Sequence, residues 1–157
     1  MATVNASECS ICDKHAKGPN VVGGVVYEDD LVYVGHIVPP DLSDVYLGYL
    51  MVEPRRHVEG LEKLTDEEAA VLGVLVKDLA RVLNDSEGAE HVYSFVLGDA
   101  VPHLHVHVVP RYPGTPREYW GVRVAEWPEA PRGGVSEIAE LCDRVRNVLT
   151  AIRTPSS

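Results

Sequence analysis

Residues 101–112, Val-Pro-His-Leu-His-Val-His-Val-Val-Pro-Arg-Tyr, restrict the fold more than any other stretch, because His103, His105 and His107 alternate there with Leu104, Val106 and Val108. Alternation at period two among leucine and β-branched residues predicts a strand with one face on an apolar core. The three imidazoles then share the other face. At a rise of ~3.3 Å per residue, His103 and His107 lie ~13 Å apart, and His103 and His105 ~6.6 Å. One metal ion, with bonds to imidazole of ~2.0 Å, does not easily hold all three from a straight strand, so the row divides its labour. Polar strand faces ordinarily draw on Thr, Ser, Lys and Glu, so a rare residue used three times marks a site rather than a half-exposed edge.

The elements around this strand follow from periodicity and turn residues. Val21 to Tyr27 and Leu31 to Val38 read as strands joined by a hairpin at Glu28-Asp29-Asp30, and Tyr46 to Val52 as another, stopped by Glu53-Pro54. Thr65 and Glu68 form a capping-box pattern, with Asp66 and Glu67 adding charge that suits a helix N-terminus. Val71, Leu72, Leu75, Leu79, Val82 and Leu83 then fall on one face of a long helix. Val92 to Leu97 is a strand, and Gly98-Asp99-Ala100 bends the chain into the histidine row. The chain thus reads as one domain over 1–157: a polar, frayed end at 1–8, a turn at Gly18-Pro19-Asn20, an irregular segment at 113–134 and a C-terminal helix at 135–153. Strands gathered around one long helix imply an α+β fold with an antiparallel sheet.

Charge and cysteine content narrow the partners. A net charge of −10 makes the chain a poor general binder of nucleic acid or anionic membrane, although a small anionic substrate is compatible with a locally positive site. The polar N-terminus has no signal-peptide pattern, and no apolar run approaches the ~20 residues of a membrane span. A cytoplasmic location is expected. Cys9-Ser10-Ile11-Cys12, with Cys142 as the odd third cysteine, points to metal or thiol chemistry rather than a disulfide frame. A closed tetrahedral zinc site needs two further ligands, for which His15, His57, His91 and His103 are candidates.

His103-Leu104-His105-Val106-His107-Val108-Val109, followed by Pro110-Arg111, resembles the motif of the histidine triad family, and the resemblance runs from about Cys9 to Tyr112. It implies the histidine triad fold, a homodimer, and a small-molecule nucleotide substrate. It further implies that His105, the middle histidine, attacks an α-phosphorus, with His107 binding a non-bridging oxygen or protonating the leaving group. Relatives with a Cys-x-x-Cys and a histidine before the long helix bind zinc, which by carry-over selects Cys9, Cys12, His57 and His103 as ligands. Such a closed set makes the zinc structural and leaves His105 free for chemistry. Neutral imidazole, with an ordinary pKa of ~6.5, carries a free lone pair near neutral pH.

Three positions depart from the family pattern. Gly98-Asp99-Ala100 replaces Gly-Gln-Ser or Gly-Gln-Thr, and an ionised Asp99 would repel polyphosphate unless the leaving group is cationic or amine-like or Asp99 points away. His36 stands where many relatives hold the ribose hydroxyls with Asp, and Tyr49 where a histidine is common. With Arg111 after the motif, these are the candidate substrate-binding residues. The function expected is a nucleotide hydrolase releasing a nucleoside monophosphate from a phosphoramidate or dinucleoside polyphosphate. The alternatives are a nucleotidyltransferase or phosphorylase with the same intermediate, and a zinc-stabilised nucleotide-binding module with little turnover.

Overall fold

The computed structural model describes residues 8–18 and 21–155. The end expected to fray therefore lies outside the described residues as far as residue 7, as do Pro19 and Asn20 of the expected turn. In chain order the elements are α1 (Ser10–Ala16), β1 (Tyr27–Glu28), β2 (Val32–His36), β3 (Val45–Tyr46), β4 (Leu50–Pro54), α2 (Asp66–Glu87), β5 (His91–Phe95), β6 (Val106–Arg111), β7 (Arg132–Gly133) and α3 (Val135–Arg153). The fold is α+β, as expected: β1, β2, β4, β6 and β5 lie side by side in that order, every pairing antiparallel, while β3 pairs with β7 in a separate two-stranded ribbon.

One face of the sheet is sealed by the helices. Leu72, Leu75, Leu79, Val82 and Leu83 of α2 and Ile138, Leu141, Cys142, Val145 and Leu149 of α3 pack with Val34, Leu50, Val52, Val106 and Val108 in one apolar cluster. The capping box at the start of α2 forms: Glu68 N–H donates to Thr65 Oγ1 at 3.1 Å, and Thr65 N–H to Glu68 Oε2 at 2.9 Å. Gly88, with φ of +73°, ends that helix in the left-handed conformation that favours glycine.

The opposite face carries the polar and histidine side chains. Cross-strand pairing sets Tyr33 beside Glu53, Gly35 beside Met51, Met51 beside His107, and Phe95 beside His107. At one end of this face α1 docks through Lys14 and His15, both bonded to Glu53. At the other end the segment from Tyr112 to Ala130 closes over Val109, Tyr93 and Phe95.

Several expected boundaries move, each for a local reason. Residues 21–25 are a loop rather than strand, because Gly23 (φ +78°) and Gly24 (φ +73°) turn the chain; a Cβ on Gly23 would also meet Ile138 Cγ2 at 2.7 Å. The strand expected from Tyr46 to Val52 is divided at Gly48 (φ +87°), so that Tyr46 belongs to the ribbon and Leu50 to the sheet. Regular strand geometry in the histidine row begins only at Val106. Before it, Leu104 N–H donates to the Val58 carbonyl at 2.6 Å, which ties His103 and His105 to the segment after β4. Pro110 is accommodated because β4 pairs with β6 only as far as Val108, so no ladder needs its missing N–H on that side.

Candidate functional site

Cys9 and Cys12 bracket the first turn of α1, His57 follows β4, and His103 precedes β6; the structure gathers all four, with one ligand atom from each within 4.8 Å of the others. His103 Nδ1 lies 3.4 Å from both sulfurs, and His57 Nδ1 3.5 Å from Cys12 Sγ. A tetrahedral ion with Zn–S of ~2.3 Å and Zn–N of ~2.0 Å would separate sulfur and nitrogen ligands by about 3.5 Å, so the residues fit the group. His103 Nε2–H donates to the Pro54 carbonyl at 2.8 Å, which turns the Nδ1 lone pair toward the sulfurs. Burial, reinforced by Cys9 beside it, pushes the Cys12 thiol up to about 11. A cation between the two sulfurs reverses that penalty. The cluster can therefore hold a metal ion.

His105 and His107 stand next to one another beyond this cluster, ring centres 5.1 Å apart. His105 Nδ1–H donates to the His103 carbonyl at 2.6 Å, so the free lone pair of the ring belongs to Nε2. His107 is set by two aromatic residues. Phe95 stacks on it at 4.8 Å and 16°, and the Tyr49 hydroxyl meets Nδ1 at 2.7 Å, while Nε2 is buried with no partner among the described residues. Burial, with His105 adding to it, holds His107 well below the usual histidine range, at about 4, and burial also keeps the Tyr49 hydroxyl protonated. With Nδ1 accepting from Tyr49, the single proton of neutral His107 sits on Nε2.

A cavity of about 400 Å³ opens beside His105. Its walls come from α1 and the residue after it (Ile11, Lys14, Lys17), the glycine loop (Val21, Val22), β2 (Tyr33, His36) and β4 (Met51, Glu53), with Val101 and His105 also on the lining. Glu53 is almost fully buried and accepts from Lys14 Nζ at 2.6 Å and His15 Nε2 at 2.8 Å. Burial alone would raise its carboxyl; the His15 and Lys14 contacts outweigh that and hold it below the usual carboxylate range.

The other candidate residues take different places. His36 lines the cavity but spends both nitrogens inside the protein: Nδ1–H donates to the Ile37 carbonyl at 2.6 Å, and Nε2 accepts from Gly48 N–H at 2.9 Å. Burial lowers its pKa, so it meets the cavity as neutral ring. Tyr49 contacts His107 rather than the cavity wall. Asp99 is exposed on the loop before the histidine row. Arg111 donates to Tyr93 Oη at 3.1 Å and stacks 3.9 Å from the centre of the Trp120 ring, within the cover formed by the segment after β6.

Lys14, Tyr33, Glu53 and Phe95 are functional candidates that sequence reasoning passed over. Glu53 had a signal, a carboxylate directly after an apolar strand pattern, which reads equally as a strand stop. Phe95 is the only phenylalanine in the chain and sits in an expected strand, but its register against His107 is set by tertiary pairing.

Comparison with known proteins agrees with this geometry. Residues 20–114 match the family model described as the HIT domain. The AP-4-A phosphorylase of Mycobacterium tuberculosis is 40% identical over 74 residues, 43% of this chain and 37% of that protein. Adenosine 5'-monophosphoramidase hnt1 of Schizosaccharomyces pombe is 26% identical over 92 residues, 58% of this chain and 65% of that protein. The chain thus spans less than two thirds of the length of either relative. A crystal structure of a Zn-bound histidine triad family protein from Mycobacterium smegmatis superposes with a TM-score of 0.66 at 18% identity, covering 94% of this chain and 97% of that one. No helix among the described residues is long and apolar enough to cross a membrane. The histidine row, within a family match that runs from the glycine loop through β6, makes this chain a member of the histidine triad family.

Proposed function

We propose that the protein is a nucleotide hydrolase in which His105 Nε2 attacks the α-phosphorus of a nucleoside phosphoramidate or dinucleoside polyphosphate and a nucleoside monophosphate is released. The observation that carries this is the 2.6 Å bond from His105 Nδ1–H to the His103 carbonyl, which leaves a bare lone pair on Nε2 at the cavity. As the N–P bond forms, the bond to the leaving group breaks with its electron pair, and the ring gains positive charge that the His103 carbonyl stabilises. Water then attacks phosphorus and gives up a proton, the departed leaving group takes one up through solvent, the N–P bond breaks, and the lone pair returns to Nε2.

His107 acts in this reading as a neutral donor. Tyr49 keeps the proton on Nε2, which gives a non-bridging phosphoryl oxygen an N–H that otherwise lacks a partner among the described residues. The apolar cavity walls suit the faces of a nucleobase. Cys9, Cys12, His57 and His103 would hold a zinc ion in a closed site, which supplies structure and no open coordination position. The reading includes a cytoplasmic location, which keeps both thiols reduced, and a homodimer.

The similarity to a phosphorylase favours one second reading, in which phosphate rather than water takes the nucleotidyl group from His105. The test is release of nucleoside monophosphate from an adenosine phosphoramidate, a dinucleoside polyphosphate and a nucleotide sugar, with the His105→Ala variant as control. Release that needs His105 and water alone supports the hydrolase. Formation of a nucleoside diphosphate, only when phosphate is added, supports the phosphorylase, and no nucleotide product from any substrate, with or without phosphate, refutes both.

A further inference from the structure

The cavity lining is mostly apolar, and few of its polar side chains are free to read the edge of a nucleobase. His36 has no free nitrogen. Glu53 is 1% exposed, and both its oxygens already accept, one from Lys14 Nζ and the other from His15 Nε2. Two lysines, Lys14 and Lys17, also line the cavity; Lys14 is the one held by an ion pair among the described residues, its side chain is 33% exposed, and its ammonium has three donors, of which Glu53 takes one. The 2.6 Å contact pins that ammonium, 5.3 Å from the centre of the Tyr33 ring. A lysine fixed in this way loses little further freedom when it meets a ligand.

We propose that Lys14, positioned by Glu53, reads the Hoogsteen edge of the base and makes guanine and hypoxanthine nucleotides the preferred substrate class over adenine nucleotides. This rests on the reading that a nucleoside fills the cavity with its α-phosphorus at His105. Guanine and hypoxanthine present two adjacent acceptors on that edge, N7 and O6, and an ammonium can serve both. Adenine presents N7 beside an amino group, so one donor faces hydrogens. Good contacts of this kind discriminate by roughly 10-fold or more. Glu53 is the counter-ion that aims the lysine, and His15 shares the carboxylate from the other side.

The test is equilibrium binding of GMP, IMP and AMP to the full-length protein by calorimetry, repeated with Lys14→Met and Lys14→Arg. GMP and IMP should bind about 10-fold tighter than AMP. Lys14→Met should bring the three within about twofold by weakening GMP and IMP, and Lys14→Arg, which keeps the donors, should retain the preference. Equal affinity for all three, or a preference that survives Lys14→Met, would overturn the proposal. So would IMP that binds like AMP, since the 2-amino group would then be the feature recognised. Because the readout needs no turnover, failure of this proposal is separable from failure of His105 chemistry, which only the release assay reports.

Discussion

At the scale of single residues, the site is a set of histidines told apart by what their second nitrogen touches. His103 gives one nitrogen to Pro54 and offers the other to the cysteines; His105 gives one to the His103 carbonyl and keeps the other for the cavity; His107 has one fixed by Tyr49. Removing the Tyr49 hydroxyl tests the last of these. Tyr49→Phe leaves Nδ1 of a buried ring without its donor, a loss of ~1 kcal/mol or somewhat more in a hydrogen bond of this kind. The expected result is a fall of about 10-fold in kcat with KM changed by less than twofold. Nitrogen NMR of the parent protein at neutral pH should show His107 protonated on Nε2; protonation on Nδ1 would refute the assigned role. The alternation of His103, His105 and His107 was legible in the sequence because rarity and period two are local properties. Their separate roles were not, because each depends on a backbone carbonyl or hydroxyl supplied by another segment.

At the scale of elements, α1 joins two functions that the sequence presents as unrelated. Its first turn carries Cys9 and Cys12, and the same helix puts Ile11 and Lys14 on the cavity wall. Metal loss should therefore act on substrate binding as well as on stability. Chelation, or Cys12→Ser, is expected to raise KM several-fold more than it lowers kcat. It should also lower Tm by roughly 5–10 °C, the shift that ~2–4 kcal/mol produces in a chain of this size. An unchanged Tm after complete chelation would count against a structural metal. The long helix α2 was legible from its capping box and apolar stripe, and its observed start at Asp66 agrees. The short elements were less so: α1 has only seven residues, and β3 and β7 only two each, too few for a periodic signal. The segment after β6 has no period at all, and its role as a cover over Val109 and Tyr93 comes from tertiary packing of Tyr112, Val124 and Trp127.

At the scale of the whole molecule, one face of the sheet holds the fold together and the other carries the site proposed for the chemistry, and burial on both faces makes stability depend on pH. Burial depresses the pKa values of His36 and His103, and that of His107 to about 4. Between about pH 4 and the ordinary value of ~6.5, the unfolded chain thus binds more protons than the folded one. Stability contributed by these groups is present above pH ~6.5 and lost on acidification. Glu53 and Asp78, both held below their usual values in ion pairs, extend the loss to still lower pH. Tm should accordingly fall between pH 7 and pH 5; a flat Tm over that range would show that the buried imidazoles are not neutral in the folded state. The central claim, a covalent bond between His105 and phosphorus, is tested most directly by the stereochemical course at an α-phosphorus made chiral by sulfur and isotopic oxygen. Two successive in-line displacements, at His105 and then at water or phosphate, predict net retention of configuration. Net inversion would mean a single direct displacement and would contradict the account.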